Sequence, residues 1–217
     1  MYIKSIELCS ANIQQTAGFY TTTLQLPLLH QSSKGVTFAA GNTLLTFKQY
    51  TQPASPVYHF AFNISPNQLA AAVGWAREKL ALLPVTPGNI IADFEQWHAH
   101  AFYCYDNNGN ILEFIARHDL PEAATTAFSG AAVLSISEIG IVTDNVSGCM
   151  QQLMTECGLP VFARQPPKEN FTALGDDHGL LIISESNRHW FPTEVPAQRF
   201  PVKVVLQQGG HIRELTV

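Results

Sequence analysis

Charge is scarce in this chain: 13% of the residues are Asp, Glu, Lys or Arg, and the 12 basic ones are scattered along it. Neutralising phosphates requires clustered Lys and Arg, so this pattern, with a formal net charge of -5, argues against a nucleic-acid partner. Cysteine is sparse as well. Cys9, Cys104, Cys149 and Cys157 form no Cys-x-x-Cys pair, which argues against a disulfide framework and for reduced thiols inside packed elements. No stretch of about 18 apolar residues is present to cross a bilayer. The chain opens on the strand-like Tyr2-Ile3-Lys4-Ser5-Ile6-Glu7-Leu8, without a signal-peptide core. The expectation is a soluble, cytoplasmic protein whose partner is a small molecule, with no nucleic acid, no membrane and no nucleotide cofactor; a homodimer stays open.

What is present favours packed cores, since 46% of the residues are hydrophobic. The length of 217 residues exceeds the common domain size of about 100–150 residues. An internal repeat points to two units, because residues 5–28 lie over residues 138–161 without a gap. Ser5-Ile6-Glu7-Leu8 falls on Glu138-Ile139-Gly140-Ile141, Asn12-Ile13 on Asn145-Val146, and Leu26-Pro27-Leu28 on Leu159-Pro160-Val161. Each copy reads as an alternating strand, an Asn that can cap a helix, a helix near 13–24 or 146–157, and a Leu-Pro turn.

The unit recurs within the first half, where residues 57–63 alternate like a strand and Ser65-Pro66 starts a helix over 67–80. Each helix is followed by a strand pair: 36–39 with 43–47 across Gly41-Asn42, and 101–105 with 111–115 across Asn107-Asn108-Gly109-Asn110. A last pair, 202–206 and 212–217, flanks Gly209-Gly210 with no room for a helix. This reading divides the chain into a complete domain at 1–118, a linker at 119–131 and a second, truncated domain at 132–217.

These paired modules carry Phe19-Tyr20 at the end of the first helix, His59 in Tyr-His-Phe-Ala-Phe, and Glu113 in Tyr-Asp-Asn-Asn-Gly-Asn-Ile-Leu-Glu-Phe. Together they resemble the vicinal oxygen chelate superfamily of glyoxalases, bleomycin-resistance proteins and extradiol dioxygenases. The resemblance covers residues 1–118 well and 132–217 moderately. It implies an α+β fold of tandem glyoxalase-like domains, in which paired βαβββ modules form curved mixed sheets with helices on the convex face. It also implies metal ligands on the first and last strand of each module. His59 and Glu113 match two of those positions, whereas Ser5 and Leu45 occupy the other two.

Strand periodicity suggests a replacement. Residues two apart share a face, so Glu7 points the same way as Ser5, about 6.6 Å along the strand. Glu7, His59 and Glu113 would then hold a divalent metal, Fe, Mn, Zn or Ni. The same parity places Tyr103 and Tyr105 in the cup, and Tyr103 matches a pocket tyrosine of fosfomycin-resistance relatives. Glu113 and Tyr103 are the candidate catalytic groups.

Strict alternation sends His98 and His100 to the helix side with Phe102, unless a bulge turns one into the cup. In the second half the ligand-equivalent positions hold Glu138 and Glu214, with Lys203 in place of His59, a set that reads as an ion-pair cluster. Residues 188–193, Arg-His-Trp-Phe-Pro-Thr, read as a lid or interface loop anchored by Trp190. Two functions follow from the resemblance. One is a metal-assisted lyase, isomerase or dioxygenase-type enzyme acting on a small oxygen-rich molecule in the first-domain cup. The other is a non-enzymatic small-molecule binding or sequestering protein of the bleomycin-resistance type.

Overall fold

The structure, a computed structural model describing residues 1–217, repeats one strand-helix-strand-pair unit along the chain. The first unit holds β1 (Tyr2–Ser10), α1 (Ile13–Gly18), β2 (Leu28–Ser32), β3 (Gly35–Ala40) and β4 (Thr43–Gln49). The second holds β5 (His59–Ile64), α2 (Leu69–Arg77), β6 (Ala92–Phe94), β7 (Ala99–Tyr105) and β8 (Ile111–Arg117). The third holds β9 (Ser135–Thr143), α3 (Val146–Cys157), β10 (Phe171–Asp176) and β11 (Gly179–Glu185), and the fourth only β12 (Lys203–Gln208) and β13 (His211–Thr216).

Local chemistry explains the repeated starts. Asn12 accepts a hydrogen bond from the Gln15 backbone N–H at 3.0 Å, and Asn145 accepts from Gly148 N–H at 2.8 Å. Each side chain satisfies a donor that the first helical turn leaves free. α1 then passes into a π-helical turn over Phe19–Thr23, and a 3-10 turn over Pro66–Gln68 precedes α2. Gly158 ends α3 in the left-handed conformation at φ 67°.

The units pair in a nested way. Within each of the first three, the first and last strands run parallel and adjacent: β1 with β4, β5 with β8, and β9 with β11. Between units, β1 joins β12 and β5 joins β9, both antiparallel. Sheet A therefore has the order β13-β12-β1-β4-β3-β2, from the first and fourth units. Sheet B has the order β10-β11-β9-β5-β8-β7-β6, from the second and third.

Residues 1–118 give strands to both sheets, so they do not close one by themselves, and 119–131 connects β8 to β9 inside sheet B. That connection is packed. Phe128 meets Trp75 of α2 with ring centroids 5.3 Å apart, and Gln68 donates to the Thr126 carbonyl at 2.7 Å. Gly130 lies so close to the Leu24 carbonyl that an added Cβ would sit 1.5 Å from it.

Sheet B is apolar on both faces, as expected of strands covered on both sides. Phe60, Phe62, Phe102 and Phe114 face the helices and join the main core, which also takes Ile6, Leu8, Leu45 and Phe47 from sheet A. Phe102 stacks on Phe114 at 5.0 Å, and burying each large side chain of this kind stabilises the fold by roughly 1.5–3 kcal/mol. The opposite face of sheet B, with Ala61, Ala101, Tyr103, Ile111 and Ile182, forms a second, smaller core that floors a cavity.

Candidate metal centre

Three charged or ionisable residues meet on that second face, one from each of three central strands. His59 opens β5, Glu113 lies on β8, and Glu138 lies on β9; one donor atom of each lies within 4.8 Å of the others, and all three residues are buried. Register explains the meeting: Ala61 of β5 stands between Glu113 on one side and Glu138 on the other.

His59 is oriented by its backbone. Its Nδ1 lies 3.1 Å from the Ile111 carbonyl, which can only accept, so the proton sits on Nδ1 and Nε2 presents its lone pair. Nε2 points to Glu113 Oε2 at 3.5 Å. Burial pushes the imidazole down to about 4, so it is neutral at physiological pH despite the carboxylate beside it. Neutral imidazole with a carbonyl behind it is the form that ligates metals.

The two carboxyls experience different surroundings. Burial and then the negative charge of Glu138 raise Glu113 well above the usual carboxylate range. Burial also raises Glu138, but the Arg117 guanidinium beside it works in the opposite direction. Arg117 is itself fully buried; its second terminal nitrogen hydrogen-bonds Glu138, and its Nε donates to Ser137 Oγ at 3.1 Å. A register shift between Ala61 and Phe62 against β9 skips Ser137, which brings two consecutive β9 side chains to the same arginine. Tyr103 stands directly opposite Glu113 on β7, and burial together with the Glu113 charge raises its phenol well above the usual range.

Around these groups lies a cavity of about 470 Å³, with Trp97, Trp190 and Phe191 among its walls and Lys168 and Arg188 also lining it. Trp190 is buried with its ring centroid 5.2 Å from that of His59. It fits because residue 140 is glycine: a Cβ there would come within 2.7 Å of the indole. The loop read as a lid or an interface thus lines the cavity with Arg188, Trp190 and Phe191.

Of the residues singled out from the sequence, His59, Tyr103 and Glu113 converge on the cavity, and Glu7 does not. Glu7 belongs to sheet A, opposite Lys203 and Thr46, with Lys48 Nζ 3.5 Å from its carboxylate. The partner of the β5–β8 unit is β9, so Glu138, at the position equivalent to Ser5, occupies the place assigned to Glu7. Leu45 is buried in the main core, and Ile182 of β11 is an apolar residue of the cavity lining. Glu214 pairs with Lys203 at 2.9 Å on sheet A, as the ion-pair reading expects. Sequence reasoning missed Arg117, although Ile111, Glu113, Ile115 and Arg117 share one strand parity.

No family model and no curated protein matches the chain. Solved structures do. A dioxygenase-assigned protein of Bacillus subtilis aligns at 14% identity with a TM-score of 0.60, over 92% of this chain. This chain spans 65% of that structure's length. A glyoxalase/bleomycin resistance protein/dioxygenase from Nocardioides aligns at 17% identity and TM-score 0.44, over 58% of this chain and 90% of its own. A fosfomycin resistance protein of Listeria monocytogenes, solved with Mn(II), aligns at 15% identity and TM-score 0.41, over 54% of this chain and 89% of its own. With its paired modules and curled mixed sheets, the chain has the fold of the vicinal oxygen chelate superfamily.

Proposed function

We propose that the sheet B cavity is the substrate site of a metal-dependent enzyme acting on a small oxygen-rich molecule. The carrying observation is the buried His59–Glu113–Glu138 donor set on the cavity floor. One imidazole and two carboxylates suit Mn, Fe, Zn or Ni, and three protein ligands leave positions for substrate. A divalent ion held there would supply Lewis acidity to two neighbouring substrate oxygens and stabilise their developing negative charge.

The chain's own residues do the rest. The Ile111 carbonyl keeps His59 in the tautomer that offers Nε2. Arg117 offsets the charge of Glu138, while burial and the neighbouring Glu138 raise Glu113, so a cation held between the two carboxyls would compete with their protons. The Tyr103 hydroxyl, next to Glu113, can donate a hydrogen bond to a substrate oxygen. Trp190, Trp97 and Phe191 exclude water from this floor, and Lys168 and Arg188 favour a substrate that carries negative charge.

Calorimetric titration with Mn(II), Fe(II), Ni(II) and Zn(II) tests the reading. The parent chain should bind at least one of these ions, and His59→Ala should lose that binding while keeping its circular dichroism spectrum. Small-molecule binding in this cavity without any ion would instead support the sequestering function.

A further inference from the structure

The sheet B cavity has two unlike sides. One is a crescent of rings. Between centroids, Trp97 lies 5.7 Å from Phe94, Phe94 lies 6.1 Å from Phe191, and Phe191 lies 5.6 Å from Tyr103. Tyr103 lies 6.4 Å from His59, and His59 lies 5.2 Å from Trp190. All six line the cavity. A continuous run of rings favours a flat aromatic ligand over a saturated one, because offset and edge-to-face contacts add to the gain from burial.

The other side is cationic and comes from the third unit. Lys168 precedes β10, Arg188 follows β11, and both flank Phe171. The Lys168 backbone N–H donates to the Phe171 carbonyl at 2.8 Å, and the Arg188 guanidinium lies 4.5 Å from the Phe171 ring centroid. That ring holds the guanidinium in place. The backbone is fixed as well: Asn187 N–H donates to the Ala197 carbonyl, and Ala197 N–H donates to the Arg188 carbonyl, both at 2.8 Å.

Arg188 is half-buried, yet no carboxylate of the chain answers its charge. Its guanidinium makes one hydrogen bond, from Nη1 to the His189 carbonyl at 3.5 Å, and neither Arg188 nor Lys168 joins an ion pair. Burial draws the guanidinium below its usual range with no carboxylate to offset it. Arg117, on the floor of the same cavity, is paired with Glu138. The other acids of the lining, Asp93 and Glu95, are exposed, and Asp93 faces His100. Removing an unpaired charge from water is costly, so a site that keeps one is set for a ligand of opposite charge.

We propose that Arg188 is the specificity-determining anchor of this cavity and that its substrates are aromatic carboxylates. The ring lies against the crescent, and the carboxylate takes the guanidinium fork, whose parallel N–H groups match two carboxylate oxygens. Glu138 on the floor repels a carboxylate, which directs the charged end of the ligand toward Arg188. The inference rests on the reading of this cavity as a substrate site.

Calorimetric titration of the chelator-treated chain with 2-naphthoate tests it. The parent should bind 2-naphthoate, and should bind the neutral isostere 2-naphthamide about tenfold more weakly. Arg188→Gln should bring 2-naphthoate down to the level of the amide and leave the amide where it was. Arg188→Lys keeps the charge without the fork and should fall between the two. Decahydronaphthalene-2-carboxylate, equally charged but without a flat ring, should bind the parent more weakly than 2-naphthoate. The inference is overturned if the parent does not bind 2-naphthoate, if Arg188→Gln binds it like the parent, or if that variant loses both naphthyl probes alike. It is equally overturned if the saturated analogue binds as tightly as 2-naphthoate. The titration contains no metal, so binding that depends on Arg188 supports the anchor even where the parent takes up no Mn(II), and only the metal-dependent reading then fails. Mn(II) uptake together with 2-naphthoate binding indifferent to Arg188 overturns the anchor and leaves the metal centre standing.

Discussion

Sheets A and B are assembled by the same rule, two units joined through their first strands, yet their open faces differ in chemistry. On sheet A, Glu7 lies 3.5 Å from Lys48, and Lys203 lies 2.9 Å from Glu214, all in reach of water. On sheet B, His59, Glu113, Glu138 and Arg117 lie below a cavity wall of tryptophan and phenylalanine and are buried. The repeat locates the divergence at two positions. Ser5 and Glu7 of β1 correspond to Glu138 and Gly140 of β9. Glutamate at the first of them places a carboxylate beside His59, and glycine at the second admits the Trp190 ring that shuts out water. The same strand becomes a solvated surface or a buried polar floor according to what covers it, since low dielectric makes each unpaired charge costly.

The largest effect that would break this comparison comes from Arg117. Arg117→Ala leaves Glu138 buried without its cation and should cost about 3–5 kcal/mol in urea unfolding. Lys203→Ala removes half of an exposed sheet A pair and should leave the unfolding midpoint where it was. Equal costs would mean that the two faces do not differ in the way described.

A second effect is the acid limb of stability. Unfolded histidine titrates near 6.5, whereas folded His59 titrates at about 4, so between these values the unfolded chain takes up a proton that the folded one refuses. Stability from this group is complete above about 6.5 and is lost as pH falls toward about 4. Glu113 and Glu138, raised in the fold, act with the opposite sign and disfavour folding as pH rises. The difference between the metal-free parent and His59→Phe therefore isolates the imidazole: chemical unfolding across pH should show a steeper acid decline in the parent. Parallel curves would mean that His59 is solvated.

Gly140→Ala against Glu7→Ala gives the smallest contrast. The new methyl group would meet the Trp190 ring at 2.7 Å and should cost about 1–3 kcal/mol, with a change in tryptophan fluorescence. Glu7→Ala, on the exposed face at the equivalent position, should stay within about 0.5 kcal/mol of the parent.

Much of this was legible in the sequence because it is local. The Asn caps of α1 and α3, the span of α3 and the hairpins at Gly41-Asn42 and Gly209-Gly210 follow from turn chemistry and periodicity. Parity along single strands put His59, Tyr103 and Glu113 on one face. Which strand edges meet is a different question, because the β5–β9 and β1–β12 pairings span long stretches of chain and leave no mark in the period-2 pattern. For that reason the sequence marks Glu138 as ligand-equivalent only within its own half, whereas the β5–β9 pairing brings it beside His59 and Glu7 stays on sheet A. Arg117 shows its role only once β9 lies alongside β5.

The central claim is that the metal centre belongs to the pairing of β5 and β8 with β9. Mn(II) titration of Glu7→Ala beside Glu138→Gln, read by calorimetry with circular dichroism to confirm the fold, tests it most directly. The account predicts that Glu7→Ala binds Mn(II) like the parent and that Glu138→Gln binds at least about tenfold more weakly. Binding that survives Glu138→Gln and disappears with Glu7→Ala would contradict it.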